Sequence, residues 1–191
     1  MCIRDSQLID TIATKNSFME KAKNASIIHL AAHGFYDALN DSVPNFLYFQ
    51  PTATDNGILT IEELYSLNLN ADLVVLSSCH SNEGKFNLIE GAMSFSRAFF
   101  HTGCKATIAT TDDVEEAKTA KIITLFYDYM QHKGLPPHAA LNESQRTYLK
   151  EAINKANIYA HPVYWVNYRH TGIDALQTNV FSNKTISALG N

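Results

Sequence analysis

The stretch Ala71-Asp-Leu-Val-Val-Leu-Ser-Ser-Cys79 constrains the fold more than any other part of the chain. Its unbroken apolar run, Leu73 to Leu76, predicts a strand over 72–78 that is buried on both faces, as strands of parallel sheets are. Cys79 would then stand at the carboxyl end of that strand. A second stretch, Ile27-Ile-His-Leu-Ala-Ala-His33-Gly34, repeats the pattern and predicts a strand over 26–32, with a histidine and a glycine at its carboxyl end. In open α/β sheets the reactive crevice lies along the carboxyl edge, where loops are free of packing duties and the strands below hold them in place. If the two strands adjoin, His33 and Cys79 emerge from one edge.

The rest of the chain alternates in the same way. Residues 7–22 carry apolar side chains at Leu8, Ile9, Ile12, Phe18 and Met19 with loosely helical spacing, which predicts a helix. After Gly34 a long polar loop contains one short strand near Phe46–Phe49 and offers a wall for a substrate. Asp55-Asn56-Gly57 reads as a turn. Thr60 followed by Glu63 is a capping box, with Leu59 and Leu64 as its hydrophobic staple. Asn87 and Glu90 open a helix that carries Ile89, Ala92, Met93, Ser96 and Phe99 or Phe100 on one face and ends at Gly103. A β-branched strand over 105–110 follows. Asp113 with Glu116 starts a helix with an apolar face of Ile122, Ile123, Phe126 and Met130, closed by Gly134-Leu-Pro-Pro, and Pro137 begins another to about Ala152. Val163–His170, rich in aromatics, reads as the last strand. The alternation predicts an α/β fold with a mainly parallel sheet. It divides the chain into an N-terminal helical segment over 1–25, a domain over 26–174 and a polar tail over 175–191. Met1–Ser6 does not read as a domain start, so an upstream region is expected.

Composition excludes several classes. A formal net charge of −4 over 191 residues gives no basic footprint for nucleic acid. No apolar run approaches the roughly 18 residues of a membrane span. Three cysteines (Cys2, Cys79, Cys104) without a CxxC pair form no disulfide framework, and no secretory signal opens the chain. A cytoplasmic setting is therefore expected. His101, Cys104, Cys79 and His80 include ligand types for zinc, but the HxxC spacing lacks a second paired half, so no metal is expected.

Several blocks together carry a family resemblance: IIHLAAHG, GILTIEELYSLNLNADLVVLSSC, EGAMSFSRAFFHTGCKATIATTDDVEEAKTAKIITLFY and HPVYWVNYRHTG. In this order they resemble the CHAT family, caspase-like domains usually fused behind tetratricopeptide repeats. The resemblance runs from about Ser26 to Gly172. It implies the caspase and separase type of peptidase fold, a three-layer αβα sandwich, with a His-Cys dyad at His33 and Cys79. The loop His80-Ser-Asn-Glu-Gly84 and the pair Thr110-Thr111 ahead of Asp112-Asp113 depart from the usual family pattern.

The chemistry expected of such a pair is acyl transfer. A free thiol with a pKa of about 8.5 is only a few per cent thiolate at neutral pH, and a nearby imidazole raises that fraction or takes the proton during attack. Cys79 would attack the peptide carbonyl and His33 would protonate the departing amine. The backbone N–H groups of Gly34 and Cys79 are the oxyanion donors that fit, since glycine lets the backbone approach closely. No cofactor is required. Asp112 and Asp113 read first as helix caps, with a substrate pocket for a basic side chain as the alternative. His29 reads as a satisfied core or sheet-face residue. The expected function is cleavage of a protein substrate, as the effector part of a larger signalling or defence protein with upstream repeats. The alternative is a non-catalytic interaction domain on the same scaffold. A nucleotide-binding domain fits poorly, because no glycine-rich loop follows the first strand.

Overall fold

The computed structural model describes residues 5–35, 46–78, 88–110, 116–154, 158–174 and 185–189. Among them the strands are β1 (Asp5–Ile9), β2 (Ile27–Ala31), β3 (Gly34–Phe35), β4 (Phe46–Tyr48), β5 (Ile58–Thr60), β6 (Leu73–Ser78), β7 (Ala106–Thr110), β8 (Tyr168–Gly172) and β9 (Thr185–Leu189). The helices are α1 (Lys15–Ala22), α2 (Ile61–Tyr65), α3 (Leu88–His101), α4 (Glu116–Lys133) and α5 (Pro137–Asn154). Six strands form the central sheet in the order β1-β9-β2-β6-β7-β8, and β3-β4-β5 form a small antiparallel sheet beside it. Every pairing in the central sheet is parallel except β7 with β8.

The apolar strands are buried on both faces, as their composition requires. On one face Ile28, Leu30, Val74 and Leu76 pack against Phe18 of α1, Leu64 of α2, Phe95 and Phe99 of α3, and Leu47 and Leu59 of the small sheet. On the other, Ile27, Leu73, Val75 and Ile108 meet Ile122, Phe126 and Met130 of α4 and Leu141 and Tyr148 of α5. The result is the three-layer αβα sandwich expected from the sequence. Each such side chain contributes about 1.5–3 kcal/mol through burial, so the alternation of faces along β2 and β6 fixes their register against both helix layers.

Local signals hold where they are short-range. Thr60 accepts from the Glu63 N–H and the Glu63 carboxylate accepts from the Thr60 N–H, a complete capping box at the start of α2. Lys15 Nζ bonds the same carboxylate at 2.9 Å and the Ile58 carbonyl at 3.0 Å, tying α1 to this corner. Thr60→Ala is expected to cost about 1 kcal/mol in urea unfolding; an unchanged midpoint would show that the cap adds nothing to the Lys15 contacts. Asp55 Oδ1 accepts from the Gly57 N–H at 2.7 Å, and Gly57 has φ +77, where an added Cβ would lie 2.2 Å from the Phe49 carbonyl oxygen. Gly103, with φ +94, follows the end of α3 as predicted.

Three expectations are corrected. Residues 7–22 are not one helix: β1 occupies Asp5–Ile9, and the helix begins only at Lys15, capped by Thr14. Leu8 is buried, and pairing with β9 supplies a partner that local spacing does not reveal. Val163–His170 is not a continuous strand. Pro162–Tyr164 forms a 3-10 turn capped by His161, the Trp165 indole donates to the Ala160 carbonyl, and the strand runs over Tyr168–Gly172. Nor is it the last strand. Thr185–Leu189, within the stretch expected to be an uninformative tail, lies between β1 and β2 and is parallel to both. The caps expected at Asn87 and Asp113 lie outside the described residues.

Candidate active site

The candidate site is built on the carboxyl edge shared by β2 and β6. These strands are direct neighbours, paired from Ile27 with Leu73 to Leu30 with Leu76. The next pair is Ala31 with Ser78, so Ser77 is an extra residue in β6. His33 stands two residues beyond Ala31, with its side chain exposed between buried Ala32 and Gly34. The His33 carbonyl accepts from the Tyr48 N–H at 2.8 Å, and β3 pairs with β4 from Gly34 onward. The backbone is therefore pinned on both sides of the histidine. Because the His33 carbonyl faces β4, the alternation of an antiparallel ladder turns the Gly34 N–H away from β4.

Cys79, the residue after Ser78, lies outside the described residues, as do Asp112 and Asp113. The strands that lead into them are described. β7 adjoins β6 with Leu76 opposite Ala109, so Thr110 ends at the same edge. Antiparallel β8 brings its first residue, Tyr168, opposite Thr110 there, and Gln145 of α5 donates to the Tyr168 carbonyl at 3.1 Å.

Below the edge, His29 is a half-buried residue on the sheet face with its polar group partnered, as it was read to be. Its Nε2 lies 2.7 Å from Ser77 Oγ, and its ring centroid is 5.6 Å from that of Tyr127 on α4. Burial pulls its pKa down from 6.5 to about 4, so the ring is neutral at physiological pH. Sequence reasoning missed Ser77. The only signal was a hydroxyl near the end of an apolar strand, and the bulge that gives it a role exists only in the pairing.

The other candidates separate in space. Cys104 is buried, its Sγ is 3.2 Å from Thr102 Oγ1, and burial pushes its pKa up, which disfavours the thiolate. His101 is exposed and meets the Tyr65 ring edge-on at 5.0 Å. At the opposite edge of the sheet, past the pairing of Gly172 with Ala106, Asp174 contacts His138 Nδ1 and lies 2.9 Å from His170 Nε2. No group that could hold a metal ion is found among the described residues, and no described helix is long and apolar enough to cross a membrane.

The mainly parallel sheet covered by helices on both faces has the αβα layering of a caspase-like domain. The chain belongs to the CHAT-domain family, whose model it matches over residues 4–173, a caspase-like, peptidase-related family. It is 23% identical over 199 residues to tetratricopeptide repeat protein 28 of Mus musculus, across 87% of this chain. The chain spans 8% of the length of that relative.

Proposed function

We propose that this chain is a cysteine endopeptidase domain that cleaves a protein substrate through Cys79 as nucleophile and His33 as acid and base. The observation that carries the reading is the pairing of Ala31 with Ser78, which ends the strands before His33 and Cys79 side by side within a caspase-like domain. Exposure of the His33 side chain and the fixed backbone around it suit proton transfer at a solvent-facing cleft. The thiolate attacks the scissile carbonyl, the imidazolium gives its proton to the leaving amine, and water then releases the acyl group, regenerating the thiol. The Gly34 and Cys79 N–H groups serve the tetrahedral oxyanion. Asp112 and Asp113 follow the neighbouring strand β7 and are the candidates for binding a basic substrate side chain.

The likeness to a tetratricopeptide repeat protein supports a place in a longer protein, where repeats bind a partner and this domain acts as the effector. A cytoplasmic setting, with thiols kept reduced, fits a cysteine nucleophile. The test is to treat the protein with a thiol-directed peptide electrophile and locate the adduct by peptide mass spectrometry. Modification at Cys79, with buried Cys104 left intact, is the expected result. A protein that takes no adduct at Cys79, or takes it equally at all three cysteines, would instead be a non-catalytic scaffold, the reading that the departure at His80–Gly84 favours.

A further inference from the structure

We infer that His29 and Ser77 form a clasp that sets the offset between the ends of β2 and β6, and that they are positioning residues for the His33–Cys79 pair; this rests on the peptidase reading above. A ladder without the bulge would set Ala31 opposite Ser77. The observed pairing of Ala31 with Ser78 advances β6 by one residue. That step is about 3.3 Å along a strand, as large as the whole separation tolerated between reacting groups. The bulge therefore fixes how far the end of β6 is advanced against the end of β2, the two strands that lead to His33 and Cys79.

A bulge leaves its extra residue without a cross-strand partner, so something must hold it. Here the Ser77 hydroxyl donates to the Leu30 carbonyl at 3.4 Å, and its oxygen lies 2.7 Å from His29 Nε2. Both contacts return to β2, at the last two residues before the register change. With the hydroxyl proton directed to Leu30, His29 donates through Nε2–H and Ser77 Oγ accepts. A neutral imidazole can hold that tautomer, and burial keeps His29 neutral. The ring is braced from the helix layer by Tyr127. The same arrangement separates this pair from an activated serine nucleophile, whose proton would face the imidazole.

The full chain with Ser77→Ala and Ser77→Thr tests the clasp. The maximal rate of Cys79 labelling by the peptide electrophile and the half-saturating concentration are measured separately. Ser77→Ala is expected to lower the maximal rate by about tenfold to a hundredfold, the scale of an ångström-level displacement, with half-saturation unchanged. Ser77→Thr, which keeps the hydroxyl, is expected to restore most of the rate. A Ser77→Ala protein labelled at the wild-type rate would overturn the inference. Backbone amide resonances read the clasp without any turnover. In Ser77→Ala the Ala32 and His33 signals should move more than those of α5, and unmoved signals would likewise overturn it. If the wild type takes no adduct at Cys79 yet those signals move, the peptidase reading falls and the clasp stands.

Discussion

Cleavage of a cognate protein is expected to vanish in Cys79→Ala and to slow by roughly a hundredfold to ten-thousandfold in His33→Ala, the range that a positioned acid and base contributes. The two variants fail for different reasons. Without Cys79 no covalent acyl intermediate can form, so both turnover and labelling are lost. Without His33 the thiol is still present, and what is lost is its activation and the proton for the leaving amine. Labelling in His33→Ala should therefore persist at high pH, with the midpoint of its rate profile displaced towards the ordinary thiol value of about 8.5. A proteome-wide cleavage profile of the wild type against Cys79→Ala would identify the substrates at the same time. A His33→Ala protein with the wild-type rate and pH profile would remove the imidazole from the mechanism and leave the strand-edge geometry without a chemical use.

Acid is expected to destabilise the fold through His29, by up to about 3.5 kcal/mol. The folded ring has its pKa lowered from 6.5 to about 4 by burial. As the pH falls below about 6.5 the unfolded chain takes up a proton that the native site refuses, so stability falls through that window, and the loss is complete near pH 4. A gap of about 2.5 pH units at about 1.4 kcal/mol each sets the magnitude. Among the described residues the ring meets the Ser77 hydroxyl and the Tyr127 ring, neither of them charged. His170, also lowered chiefly by burial although Asp174 opposes it, acts in the same direction. Urea unfolding of wild type and His29→Gln at pH 7 and at pH 4.5 measures the term. The variant should be the less acid-sensitive of the two, and parallel curves would show that the His29 imidazole does not control it. The carboxylate of Glu63, held low by Lys15 and the Thr60 N–H against burial, loses its contribution at still lower pH and is separated by that window.

How much was legible in the sequence depended on the range of the physics. The Thr60–Glu63 box, the glycine after α3, the apolar face of α4 and the buried runs of β2 and β6 are written in residues a few positions apart, and each formed where it was expected. So did the α/β class, because continuous apolar strands between amphipathic helices bury both faces in only one kind of layering. The sequence alone also singled out His33, through the histidine and glycine at the end of its strand.

What only the tertiary structure decided was pairing between distant segments. Asp5–Ile9 and Thr185–Leu189 are strands because each is the other's neighbour, an association between the two ends of the described chain that no local periodicity records. The aromatic run before β8 was divided by Pro162 and by the Trp165 bond to Ala160, contacts that outweighed strand propensity. At the candidate site the sequence named residues, but the one-residue advance at Ser77 belongs to neither strand alone. Register is the difference between two strands' positions, set by packing on both faces of the sheet, and it becomes definite only when the strands lie side by side.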